Sequence, residues 1–315
     1  MGALDIMGAG ADLDADAFRR LYPEKYLLRF LDNGIRPDSR VTGKGRPVTI
    51  GVGTISSADG SALVKLGRSS ALAGVKLELA RPEEGCSGAG SLSFNVEIAP
   101  FAMGGADHLK AGRQPEWLRT LSLQLHASLL GSGLVDLQQL SLNEGKSCWR
   151  ATVDVYILDV DGAVFDVVLL AVVAALRSTV LPAVTISQDG QSVRRSAAAA
   201  GSGNSDSSAQ AAAAAGSSTK AASLLQLSAT PISCTFGICG SHTLTDPTYE
   251  EEKVCSSSVT IVTTGERMFG VYHLGGPGVS PGVTRCCMEA SRLRYKQLLS
   301  ALDQALITAD SREAS

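Results

Sequence analysis

Ser57-Ala58-Asp59-Gly60-Ser61-Ala62-Leu63-Val64-Lys65-Leu66-Gly67 is the stretch on which the fold turns. Ala62, Val64 and Leu66 recur at a period of two, and so do Val48, Ile50 and Val52 upstream, with Ile55 between the runs. That period puts each set on one face of a strand. Asp-Gly between two such runs marks a hairpin turn, here at Ala58-Asp59-Gly60, so Pro47 to Arg81 reads as paired strands. Downstream, Trp117–Leu130 carries Leu118, Leu121, Leu125 and Leu129 at helical spacing, and Trp149–Leu158 reads as a strand. Asp161-Gly162 turns the chain. Asp166 is placed to cap a helix running to Arg177 that is apolar nearly all round and is therefore expected to be buried. Strands followed by packed helices imply an α+β layer.

Outward from this centre, residues 1–15 are rich in Gly, Ala and Asp and are expected to be disordered. Residues 16–33 form an amphipathic helical arm with Pro23 at a first turn. The arm would either pack on its own domain or dock on a neighbouring subunit. Residues 34–195 make a first half. Residues 196–223, almost wholly Ala, Ser and Gly, read as a flexible insertion. Residues 224–307 make a second half, with strands through Leu244, over Val254–Thr263 and over Met268–Leu274, then a helix from Pro281 to Ile307; residues 308–315 are a tail. Two halves of strands followed by a long helix suggest an internal pseudo-repeat.

A chain of 315 residues with 44% hydrophobic residues can bury a substantial core. Its formal net charge of −3 supplies no general attraction to polyanions, so any nucleic-acid contact must come from local basic clusters. Seven scattered cysteines and no secretory signal point to a reducing compartment, cytosol or nucleus. Cys234 with Cys239, and Cys286-Cys287, lack the spacing and the His partners of a zinc site. No metal or cofactor is expected. The longest apolar run, Val167–Leu176, is about half of a membrane span, so no membrane partner is expected either. Asp5, Asp12, Asp14 and Asp16 fit neither a secretory nor a mitochondrial leader.

Asp154, Asp159 and Asp161 are the densest carboxylate cluster, and alternation puts Asp159 and Asp161 on one strand face, where a pair could hold a divalent ion or exchange protons. A turn at Asp161-Gly162 with Asp159 solvating a strand end accounts for them more simply. Glu250-Glu251-Glu252 after Asp246 likewise reads as a solvated loop. Gly275-Gly276-Pro277-Gly278 before a helix lacks the Lys and hydroxyl of a P-loop and reads as a tight strand-to-helix turn. Lys110, Arg113 and Arg119 beside Trp117 have the charge and the aromatic that contact with a phosphate backbone would use, although an ordinary exposed helix start fits them equally. His108, His126, His242 and His273 form no triad or ligand set.

Ile35-Arg36-Pro37-Asp38-Ser39-Arg40, the hairpin Ser57–Gly67, Val153–Gly162 and Asp246-Pro247-Thr248-Tyr249-Glu250-Glu251-Glu252, in that order, resemble the RNase PH family over Leu28–Gln188 and Leu224–Ala305. The hairpin and the Asp-Pro-Thr segment look most like eukaryotic exosome ring subunits. The resemblance implies an RNase PH-like α+β fold of two pseudo-repeated βαβα halves, here with a low-complexity insertion. It implies as partners other RNase PH-like ring subunits, cap proteins, an associated exoribonuclease and RNA, with residence in nucleus and nucleolus and also cytoplasm. Competent members use cationic side chains to hold phosphate and RNA and a carboxylate for proton or metal work. At the matching places this chain has Phe165 for the phosphate-holding Arg, Leu123 and His126 for helix arginines, and Ser258 for the catalytic Asp. The resemblance therefore implies a non-catalytic ring subunit supporting 3′–5′ RNA processing and degradation, including rRNA maturation and mRNA turnover. Two alternatives stay open: an active phosphate-dependent exoribonuclease using Asp154, Asp159, Asp161 and Asp246, and a stand-alone RNA-binding module.

Overall fold

The computed structural model describes residues 17–82, 88–102, 115–130, 133, 135–143, 145–186, 193–195 and 218–313. These fall into two modules, one of 48–160, 165–232 and the residues from 297 on, the other of the residues up to 47, 161–164 and 233–296. The chain enters through helix α1 (Pro23–Asp32), with Pro23 in the first turn as its fixed φ favours.

A six-stranded sheet organises the first module. It comprises β1 (Val48–Val52), β2 (Gly60–Leu66), β3 (Ser69–Ala80), β4 (Ser91–Ile98), β5 (Ser141–Asn143) and β6 (Ser147–Asp159), in the order β1-β2-β3-β6-β4 with β5 also on β6. All pairs are antiparallel except β4 with β6. A parallel pair needs a crossover, and α2 (Glu116–Leu129) lies in it, burying Leu118, Leu121, Leu125 and Leu129 as their spacing requires. Helix α3 (Val164–Arg177) is buried at every residue from Phe165 to Leu176, which is why its sequence shows no polar face. The helix starts two residues ahead of Asp166, so that carboxylate is a buried first-turn residue and not the cap its sequence position suggested.

The hairpin forms as its alternation implies, β1 pairing antiparallel with β2 and Val52 standing opposite Ala62. A second reversal, at Gly67 with φ +60°, joins β2 to β3. Asp59, just ahead of β2, holds two further stretches of backbone: its N–H donates to Val75 O (2.9 Å) and its carboxylate accepts from Leu77 N (2.7 Å), both in β3, and its O accepts from Val180 N (3.1 Å). A Cβ on Gly60 would stand 2.3 Å from Thr179 Oγ1 and 2.7 Å from Ala175 O. Close approach of the end of α3, and not a left-handed φ, demands this glycine.

Three short pairings follow α3: β7 (Val180–Leu181) takes β11 (Ser223–Leu224), and β8 (Val184–Ile186) lies between β9 (Val193–Arg195) and β10 (Ser218–Lys220). Strand structure therefore resumes at Ser218, inside the 196–223 stretch expected to be a flexible insertion. Pairing there is through the backbone, which Ser, Thr and Lys supply as well as any residue, so composition hid it. Residues 1–16 and 196–217 lie outside the described residues.

The second module has a four-stranded sheet, β13 (His242–Thr245), β12 (Ile232–Cys239), β14 (Ser257–Thr263) and β15 (Met268–Leu274) in that order, with α4 (Tyr249–Val254) and the part of α5 (Pro281–Glu313) up to Lys296. Cys234, Phe236, Val259, Ile261 and Cys287 form its core, and burial there pushes the Cys287 thiol up to about 11. Leu27 and Leu31 of α1 pack on Cys239 and Leu244, so the arm packs on its own module. Helix α5 continues past Ile307 to Glu313, through residues expected to be a tail; no Gly or Pro stops it there, and Thr308 Oγ1 bonds back to Gln304 O at 2.8 Å.

Gly60→Ala must displace backbone, and should cost about 1–3 kcal/mol of stability by chemical denaturation. Gly43, with nothing within 4 Å of its would-be Cβ, is the control: Gly43→Ala should stay within about 0.5 kcal/mol of wild type.

Candidate functional site

Asp246, at the end of β13, adopts φ +55° and is 1% exposed. A buried carboxylate needs a counter-charge, and Arg46 supplies it: Arg46 N reaches Oδ2 at 2.7 Å, Nη2 reaches Oδ1 at 2.5 Å, and Nε is 3.1 Å from both oxygens. Glu251, in the first turn of α4, accepts from Arg36 Nε at 2.9 Å, from Arg36 Nη2 and, as part of a capping arrangement, from Thr248 N at 2.8 Å. Arg36, with no exposed surface, also donates to the carbonyls of Thr245 (2.7 Å) and Asp246 (3.1 Å). The Asp246–Glu252 segment is thus anchored by buried ion pairs, correcting its reading as a solvated loop. Sequence reasoning missed this because each partner lies about 200 residues away along the chain. At the rim, burial alone would raise the Asp38 carboxyl, but hydrogen bonds and charge from Arg40 outweigh it and hold the group below its ordinary value.

The same arginine fixes the turn into α3. Arg46 Nη1 donates to Asp161 O (2.5 Å), and Arg46 Nη2 to Gly162 O (3.1 Å). Ala163 N donates to Glu252 Oε1 at 2.7 Å. Gly162 has φ +74°, and a Cβ there would fall 2.4 Å from Pro247 O; Ala163 follows at φ +48°. Both positions have the left-handed backbone that a glycine adopts most readily. Asp161 itself faces Arg46 at 3.6 Å and accepts from Tyr249 N at 3.4 Å, so it braces a turn.

Phe165, one turn further on, is 6% exposed, its ring packed in the first turn of α3. Leu123 is 66% exposed on the solvent side of α2, and Arg119 and His126, both exposed, share that stripe at helical spacing; the His126 ring meets Phe94 edge-on at 6.3 Å. Lys110 and Arg113 lie outside the described residues, so only Arg119 of the basic cluster is placed. Ser258 stands in β14 opposite Leu274 of β15. Asp159 accepts from Ser70 Oγ at 3.2 Å, and Asp154 is exposed on the outer face of the six-stranded sheet beside Asn95. Among the described residues no three His, Cys, Asp or Glu side chains are grouped to hold a metal. Gly275 and Gly276 have φ +72° and +81°, and a Cβ on Gly276 would strike Ser256 O at 2.0 Å, the geometry of a tight turn.

Two features escaped the sequence reading. A cavity of about 300 Å³ opens on the outer sheet face between Ile55, Leu72 and Tyr156, with Lys76 and Asp154 at its rim. Its apolar walls suit a hydrophobic side chain and not a phosphate. Cys239 and Cys255 share a hydrogen bond that lowers the Cys239 thiol and pushes Cys255 up; no spacing rule marks two cysteines from a strand and a helix end as neighbours.

A two-module α+β chain with this order of sheets, a parallel β4–β6 pair and a buried helix after an Asp-Gly turn defines a class: the chain belongs to the 3′ exoribonuclease family, RNase PH. The family's domain 1 matches residues 44–182 and its domain 2 residues 229–308. The chain is 28% identical to exosome complex component rrp43 of Schizosaccharomyces pombe, over 88% of this chain and 94% of that protein. Leu21–Tyr26 and Leu158–Asp166 are the stretches that most resemble that protein. The chain is 30% identical to exosome complex component Rrp42 of Methanopyrus kandleri, over 80% and 84% of the two chains. Among solved structures, a chain of the Archaeoglobus fulgidus exosome with RNA bound to the active site superposes at TM-score 0.70 with 27% identity, covering 88% of this chain and 96% of that one. A chain of an archaeal exosome core gives 0.68 with 25% identity, covering 93% and 99%.

Glu251→Ala leaves the Arg36 guanidinium buried without its carboxylate, and should cost about 3–5 kcal/mol. Equilibrium denaturation checks it; a loss under about 1 kcal/mol would mean that water or another group takes over the pairing.

Proposed function

We propose that this chain is a non-catalytic structural subunit of an exosome ring, standing with other RNase PH-like subunits and cap proteins and supporting 3′–5′ RNA processing and degradation by an associated exoribonuclease. The observation that carries this reading is Phe165. It occupies the place where the resemblance puts a phosphate-holding Arg, and its ring is buried behind a turn that is otherwise retained. A phenyl ring offers an incoming phosphate neither charge nor hydrogen bond, and losing one such partner already costs on the order of a hundredfold in rate. Leu123 and Ser258 supply no charge at the two other matching places. Asp246, invoked by the alternative of an active phosphorolytic enzyme, is buried with both oxygens committed to Arg46. Residence in nucleus, nucleolus and cytoplasm, with roles in rRNA maturation and mRNA turnover, belongs to the same proposal.

Purified chain, alone and with sibling ring subunits, is expected to release no nucleoside diphosphates from single-stranded RNA in the presence of phosphate. Turnover that survives inactivation of every sibling's active site would overturn the proposal. A stable lone monomer that binds RNA without joining any sibling would favour the stand-alone module.

RNA binding within such a ring would run through Lys110, Arg113 and Arg119, by phosphate contacts indifferent to base sequence. Replacing all three by Ala should weaken RNA capture and reduce the salt slope by about 0.7 for each phosphate no longer neutralised, about 2 in total, while the ring still forms. An unchanged slope in an intact ring would take these residues out of the RNA path.

A further inference from the structure

Two cysteines of the second module meet. Cys239 ends β12, and Cys255 closes α4 just ahead of β14. The chain thus leaves the sheet at one cysteine and returns to it at the other. Ile238 O, one residue before Cys239, accepts from the N–H (2.8 Å) and the Oγ (2.9 Å) of Ser256, one residue after Cys255. That contact sets the two backbones at the spacing of paired strands. The Cys255 sulfur turns onto β12: it stands 2.7 Å from where a Cβ on Gly237 would be, and Gly237 shares its strand face with Cys239. Any larger residue at 237 would push the thiol away. Both cysteines, unbridged here, pack in one apolar cluster with Leu27, Leu31 and Leu244. Their shared hydrogen bond favours the thiolate at Cys239, against burial and the charges of Glu24 and Glu251, and keeps the proton on Cys255. Cys239 is 2% exposed and Cys255 half-buried, so a reagent reaches the pair past Cys255, and only a small one can.

We propose that Cys239 and Cys255 are a redox modification site, at which hydrogen peroxide joins them in a reversible disulfide. The Cys239 thiolate attacks one peroxide oxygen and the O–O bond breaks. Hydroxide leaves, takes up the proton that Cys239 had released, and Cys239 becomes a sulfenic acid. The Cys255 sulfur then attacks the Cys239 sulfur: the S–S bond forms, the S–O bond breaks, and the departing hydroxide leaves as water with the Cys255 proton. Two thiols lose two electrons and two protons, and the peroxide is reduced to two waters. A small dithiol reverses the bond by exchange. The disulfide would close residues 240–254 into a loop. That loop carries Asp246 and Glu251, whose pairing with Arg46 and Arg36 anchors the module, so oxidation would hold the segment more tightly. In a reducing compartment such a bond is transient and reports oxidation. The site lies within one module and is complete without a ring.

The test treats reduced full-length chain with a small excess of hydrogen peroxide, blocks remaining thiols with iodoacetamide in denaturant, and maps the peptides by mass spectrometry. One cross-linked peptide pair should join Cys239 to Cys255, and dithiothreitol should open it in the folded chain. The oxidised chain should melt at least about 4 °C above the reduced one. Cys255→Ala should lose both the link and the shift, whereas Cys286→Ser, which alters an exposed thiol, should keep both. Cys239 and Cys255 still blocked as thiols once Cys286 has been oxidised would overturn the proposal. So would Cys239 carried to the sulfinic acid with Cys255 untouched, or a link from either of them to a third cysteine. These readings come from the wild-type chain and stand even if Cys255→Ala fails to fold. A Cys239–Cys255 disulfide that leaves the melting temperature unchanged overturns the tightening of the loop.

Discussion

Two buried ion pairs, Arg36 with Glu251 and Arg46 with Asp246, set the arrangement on which the second module depends. A carboxylate or guanidinium removed from water is tolerable only when its partner is in place and its remaining hydrogen bonds are made. That condition ties together segments far apart in sequence. Arg46 binds Asp246 across 200 residues and the carbonyls of Asp161 and Gly162 across 115 and 116. Such a network is not a large net source of stability, since replacing a buried pair by packed apolar groups is often neutral. It does make other registers of these loops costly, because each would leave a charge buried alone.

The consequence for function is that scaffold and chemistry can separate. Gly162 and Ala163 keep their left-handed backbone because Pro247, Thr248 and Arg46 hold the turn from outside, whatever residue follows. None of these contacts uses the side chain of Phe165, and an apolar side chain there is buried more readily than a charged one. The fold of an exoribonuclease family is retained here by interactions that do not pass through the positions where its chemistry would reside.

Periodicity by itself determined the elements whose burial follows from their own spacing. The Leu stripe of α2, the alternation of β6 and the all-apolar α3 are each read from side chains within one element, and local order and burial share one cause there. The Asp161-Gly162 turn was legible for the same reason. Tertiary structure alone decided what partners from afar impose: that Gly60 answers to Thr179 and Ala175 and not to a tight turn, that Ser218–Lys220 pairs with β8, and that Asp246 and Glu251 are buried rather than solvated. A carboxylate looks the same in sequence whether it faces water or a guanidinium 200 residues away. Only packing, which sets the dielectric around it and the counter-charge beside it, makes the difference.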